Sequence, residues 1–166
     1  MKRKTQGFAG ERILELSDDF QKSSQLNAML SFTRAGFYPR AKHHAESGTR
    51  SDYTMIYCIK GVGQANVGDV AYQIRANEFL FIPKNTSFSY HADKLQPWTI
   101  YWFNFDGPTA NIMLEVYHEQ SGSYKGSLPY NEERITLFNI NYKNLKRGYS
   151  QYILTILDTC LLHFLS

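Results

Sequence analysis

Three observations along this 166-residue chain predict a mainly β fold followed by helices. Between Asp52 and Gly107 the apolar residues come in short runs, continuous or alternating with period two, punctuated by Gly, Pro, Asn and Asp. After Gly107 the apolar period changes to that of a helix. Aromatic residues make up 15% of the chain, twelve Tyr and eleven Phe among them, which favours aromatic-lined sheet walls over a helical bundle. The length suits one substantial core.

The elements follow in order. Residues 1–25 read as a polar arm whose one apolar run, Ile13-Leu14-Glu15-Leu16, has the length of an edge strand. In Leu30-Ser31-Phe32-Thr33-Arg34 a period of two sets Leu30, Phe32 and Arg34 on one face. Arg34 is the odd charge there, either reaching out at a strand end or serving a pocket. The polar stretch Pro39 to Ser51 reads as a loop, with His43 and His44 on its surface. Arg50 and Asp52 are close enough to pair where that loop ends.

Tyr53 to Ile59 is almost continuously apolar, as in a strand buried on both faces, and Gly61-Val62-Gly63 breaks it. Val67-Gly68-Asp69-Val70 carries the type II′ hairpin signature, with Val70, Tyr72 and Ile74 alternating on the return. Phe79-Leu80-Phe81-Ile82 is a further strand, ended by Pro83. The last long strand runs from Trp98 to Phe105. One face carries Trp98, Ile100, Trp102 and Asn104, and the other Thr99, Tyr101, Phe103 and Phe105. Both faces are bulky, as in a barrel wall packed outside against helices and facing a cavity inside. Trp98, just after Pro97, reads as structural.

Ala110 to Gln120 reads as a short helix. From Asn131 to Lys146, Ile135, Phe138, Tyr142 and Leu145 form a helical stripe. Ser150 is placed to cap a second helix in which Ile153, Leu157, Cys160 and Phe164 repeat at spacings of four, three and four. That spacing, widened by neighbouring leucines, predicts a helix buried on more than one side and a homodimer seam. The chain stops in apolar sequence without a helix-ending residue, so the expectation is that it is cut from something longer.

Composition narrows the function classes. The 18 Lys and Arg against 15 Asp and Glu are dispersed, and no basic stripe offers a nucleic-acid surface. Cys58 and Cys160 lie far apart without a CxxC partner, which predicts free thiols in a reducing compartment. No stretch has the length of a membrane span and no signal-peptide core opens the chain, so a cytoplasmic protein without a membrane partner is expected.

The stretch from Asn77 to Tyr90 outlines a cupin's second motif: Gly, five residues, Pro, one residue, Gly, two residues, His. Here Asn77 and Asn85 stand for the glycines and Phe88 for the histidine. Asn tolerates positive φ at tight turns, so the backbone pattern survives. Phe has no lone pair for a cation, so the metal site does not. Among His43, His44, Glu46 and His91 no ligand set is legible, and the His-x-His pair of the first cupin motif is missing. No metal, no cofactor and no catalytic residue is expected. The competing reading is a metal-dependent cupin enzyme, an isomerase or dioxygenase.

A wider pattern joins these parts. It comprises Gly36-Phe37-Tyr38-Pro39, Asp52-Tyr53, Ile56 through Gly63, Asn77 through Pro83, Ser89-Tyr90, and Pro97-Trp98 through Gly107. Together they resemble the N-terminal ligand-binding and dimerisation domain of AraC-family transcription regulators, most of all the Bacteroides-type variety, which Gly7-Phe8-Ala9-Gly10-Glu11-Arg12 also fits. The resemblance implies a cupin-like double-stranded β-helix, or jelly-roll, followed by C-terminal α-helices. Residues 1–25 would be the arm, 26–108 the effector-binding barrel and 109–166 the helical dimerisation segment. It further implies a small polar effector such as a saccharide, and contact with DNA only through a helix-turn-helix domain outside this chain.

In the family's arabinose-binding member an arginine on an early strand, a tyrosine after the Pro turn and a tryptophan on the Pro-Trp strand grip the sugar. Those positions match Arg34, Tyr90 and Trp102. Trp offers a flat apolar face to sugar C–H groups, while Arg and Tyr bond to hydroxyls. Ile100 and Asn104 share Trp102's face. Phe88 and Asn104 stand where relatives often carry His, which makes this pocket more aromatic and less basic.

Overall fold

The computed structural model describes residues 12–15, 31–136 and 139. Two antiparallel sheets face each other in a cupin-like jelly-roll. The first has six strands: β1 (Arg12–Glu15), β2 (Ser31–Tyr38), β9 (Thr99–Asp106), β4 (Tyr53–Lys60), β7 (Glu78–Ile82) and β10 (Lys125–Ser127), in that spatial order. The second orders β3 (Ala45–Gly48), β8 (Phe88–Ala92), β5 (Val62–Val67) and β6 (Val70–Arg75). Helix α1 (Pro108–Ser121) follows β9.

Strands β4 and β9 are buried on both faces, as their unbroken apolar sequence requires. Inward, Ile56, Ile100 and Trp102 join Ile74, Leu80, Ile82, Phe88 and Tyr90 in the core between the sheets. Outward, Met55, Tyr57, Tyr101, Phe103 and Phe105 pack under α1, whose Ala110 and Leu114 are buried, with Ile135 alongside. Trp98 is fully buried. A Cβ on Gly63 would fall 2.0 Å from its ring, so the indole needs glycine beneath it.

Turn chemistry follows the sequence. Asn77 and Asn85 hold φ of 67° and 57°, the left-handed region their places in the motif demand. Gly68 has φ 56° and pairs Val67 with Val70 across a two-residue hairpin. Helix α1 starts with Pro108 in its first turn after Gly107 and stops at a left-handed Gly122, whose N–H donates to the His118 carbonyl. The run at Ile13 lies on an edge strand, β1, paired only with β2 among the described strands.

Three expectations need correcting. The stretch Pro39 to Ser51 is not all loop, because Ala45–Gly48 pairs with β8 as an edge strand. His44 is not a surface residue: it is 7% exposed, and two left-handed residues, Arg40 and His43, turn its loop inward. The alternation read across Leu30, Phe32 and Arg34 is interrupted by a bulge between Phe32 and Arg34. Leu30, Phe138, Tyr142 and Leu145, and the seam residues Ile153, Leu157, Cys160 and Phe164, lie outside the described residues.

Candidate functional site

Four of the six residues expected to line the ligand site converge on one cavity between the sheets. Arg34 reaches it from β2, Tyr90 from β8, and Trp102 and Asn104 from β9. The β2–β9 register explains the grouping, since Arg34 stands opposite Asn104 and Gly36 opposite Trp102. Gly36 lets the indole lie against β2, and Arg34 Cζ sits 5.2 Å from the ring centre, within cation–π range. Phe88 and Ile100 do not line this cavity. Both are buried in the neighbouring core, where Phe88 stacks on Tyr90 with ring centres 5.6 Å apart.

Sequence reasoning missed the residues that complete the wall. Glu46 on β3, Arg50 in the following turn and Thr54 on β4 also line the cavity. Tyr90 donates its hydroxyl to Glu46 Oε2 at 2.7 Å, and His44 Nε2 is 3.7 Å from Glu46 Oε1. Asn104 Nδ2 donates to Thr54 Oγ1 at 2.6 Å. Arg50 grips Asp52 with Nε and Nη2 at 2.7 and 3.1 Å, the pairing the sequence suggested. Tyr38, Tyr90 and Trp98 surround the His44 ring with centres 4.7, 5.4 and 6.1 Å away. The one legible hint of this wall was Glu46, a carboxylate two residues beyond His44 on a short run that reads as loop.

The electrostatics keep these groups in complementary states. Burial pushes the Glu46 carboxyl up, but the neighbouring His44 imidazole, the hydrogen bond from Tyr90 and, more weakly, the charge of Arg34 outweigh it and hold it below its ordinary value. Burial, then the Glu46 charge, pushes the Tyr90 hydroxyl well above its usual range, so it remains a protonated donor. The hydrogen bond to Asp52 raises Arg50.

The cavity holds about 10 Å³, the space of a single water. Pockets that bind small-molecule ligands span roughly 300–1,000 Å³. The cavity in this structure is thus too small for such a ligand. A larger cleft of about 510 Å³ lies on the outer side, between α1 and the six-stranded sheet, lined by Met55, Phe79, Phe81, Phe105, Leu114 and other apolar groups. It lacks the charged side chains that surround the inner cavity, so it does not suit a polar ligand. Among the described residues no three His, Cys, Asp or Glu side chains are grouped to hold a metal ion.

Two facing sheets with a polar, aromatic-walled cavity between them define a ligand-binding jelly-roll. Residues 33–134 match the AraC-like ligand binding domain, and the chain belongs to that family. It is 35% identical over 83 residues to the MmsAB operon regulatory protein of Pseudomonas aeruginosa, covering 47% of this chain and 27% of that protein. It is 27% identical over 66 residues to the Msm operon regulatory protein of Streptococcus mutans, covering 40% and 24%. The matched region therefore spans about a quarter of these curated relatives. The fold is shared with apo ToxT K231A of Vibrio cholerae at a TM-score of 0.53 and 16% identity, over 81% of this chain and 54% of that one. No described helix is long and apolar enough to cross a membrane.

Proposed function

We propose that this chain is the effector-sensing and dimerisation part of a bacterial transcription regulator, working in the cytoplasm and binding rather than transforming its ligand. The convergence of Arg34, Tyr90, Trp102 and Asn104 on one cavity carries this reading. The group combines an aromatic face, a cation and neutral hydrogen-bonding groups, the chemistry that takes a small polar compound such as a saccharide. The regulatory names of the two curated relatives support a part in controlling an operon. DNA contact belongs to a domain beyond this one, and the stripe Ile153, Leu157, Cys160 and Phe164 forms the homodimer seam.

A ligand can regulate only by favouring one arrangement over another, and the closed cavity supplies one such arrangement. A thermal-shift screen of mono- and oligosaccharides tests the binding claim. A true ligand at a hundredfold its dissociation constant stabilises by ~2.7 kcal/mol, and Arg34→Ala or Trp102→Ala abolishes that shift. A screen in which no saccharide moves the parent melt would refute it.

A further inference from the structure

We propose that Glu46 is a specificity-determining residue: on binding, its carboxylate releases the Tyr90 hydroxyl and accepts ligand hydroxyls instead, so that the site takes uncharged polyhydroxy compounds and rejects anionic ones. The proposal rests on the ligand-binding reading above and deepens it.

The wall that can give way is the one carrying Glu46. The cavity admits one water, so a saccharide needs a lining group to leave. Thr54, Trp102 and Asn104 sit on β4 and β9, strands flanked on both sides within the six-stranded sheet. Strand β3 is a four-residue edge whose one ladder among the described strands is with β8, and all four of its residues are exposed. The Glu46 side chain, 44% exposed, therefore stands at the cavity mouth with its inner end on Tyr90 at 2.7 Å.

The charge pattern decides what may replace it. Arg34 and Arg50 are matched in number by Glu46 and Asp52, and the Arg50 fork is committed to both Asp52 oxygens. An incoming carboxylate or phosphate meets Glu46 as a like charge in a partly desolvated setting, and an incoming ammonium meets Arg34. A neutral polyol avoids both conflicts. Its hydroxyls donate to Glu46, the acceptor-only group of the lining, and accept from Arg34 and from Tyr90 once that hydroxyl is released.

The test compares sugars that differ at C6 alone, a hydroxymethyl in one and a carboxylate in the other. Glucose with glucuronate, and galactose with galacturonate, are titrated into the dimerising chain and into Glu46→Gln at pH 7.5, by calorimetry and thermal shift. The parent is expected to bind a neutral member at least about tenfold more tightly than its acid partner. Glu46→Gln should weaken the neutral sugar about ten- to hundredfold, as loss of a charged hydrogen bond does, and narrow the preference over the acid. Near-UV circular dichroism of the variant establishes that it is folded, and Glu46→Ala supplies a second substitution. Equal binding of acid and neutral sugars by the parent, or an unchanged preference in Glu46→Gln, overturns the proposal while leaving the ligand-binding reading intact. If neither pair binds the parent, the same comparison is made with a neutral sugar found in the saccharide screen and its acid counterpart; if that screen yields none, the saccharide reading falls and this proposal with it.

Discussion

Placing a single methyl group at Gly36 should dislodge Trp102. Gly36 stands opposite Trp102 in the β2–β9 ladder. A Cβ there falls 2.3 Å from indole Cε2 and Cζ2 and 2.4 Å from Nε1. Ordinary carbon contacts begin near ~3.5 Å, so the ring must retreat by more than about an ångström. It has little room, being 7% exposed and facing a cavity of about 10 Å³. Gly36 is not among the glycines with left-handed φ, so Gly36→Ala adds no backbone strain and the effect is steric. Overpacking of this kind costs ~1–3 kcal/mol. At roughly 2–4 °C per kcal/mol for a domain of this size, the melt should fall by about 2–12 °C. Near-UV circular dichroism should change as the indole moves, and saccharide binding should weaken. Adding Trp102→Phe shrinks the ring and relieves the clash, so the double variant should lose less than the two single losses added together. A Gly36→Ala protein that melts within a degree of the parent, with an unaltered near-UV spectrum, would show that the indole does not rest on Gly36.

Two further outcomes follow from buried and left-handed groups. At Asn77, φ 67° suits Gly and Asn best and β-branched residues least, so Asn77→Gly should be close to neutral and Asn77→Val should lose about 1–2 kcal/mol in urea denaturation. Equal stability of the two variants would contradict that turn. Cys58 is fully buried, and desolvation pushes its thiol up to about 12. In a Cys160→Ser background it should resist Ellman's reagent at pH 8 until urea unfolds the protein. Because the folded value lies above the unfolded one, its share of stability is full below about pH 8.5. That share is lost as pH rises toward 12, a decline that Cys58→Ala should remove. Rapid labelling of the folded chain would count against this burial.

The large-scale pattern was legible because it is written in hydrophobic period and turn chemistry. Strands β4 and β9 announced themselves as long bulky runs, and Asn77 and Asn85 kept the glycine-like turns that the cupin motif requires. The faces of β9 were assigned correctly, with Ile100, Trp102 and Asn104 inward. The short edges were not legible. Ala45–Gly48 and Lys125–Ser127 contain Gly, Ser and Ala, bury nothing decisive, and become strands only because β8 and β7 offer unpaired edges. For the same reason the inward placement of His44 and the wall position of Glu46 were not legible, since both depend on that edge pairing and not on any local pattern. Phe88 was assigned to the site from its place in a motif. Its side chain follows the core instead, stacking behind Tyr90.

Two neighbours on β4 tie the cavity to the helix. Thr54 accepts the Asn104 amide inside the cavity, while the preceding residue, Tyr53, sends its hydroxyl to Asn111 Oδ1 on α1 at 2.7 Å. As successive residues of a strand, the two point to opposite faces of the sheet, Thr54 toward the cavity and Tyr53 toward the helix. Cavity and helix are thus moored to adjacent residues of one strand, and a shift of β4 at that point would carry both moorings with it.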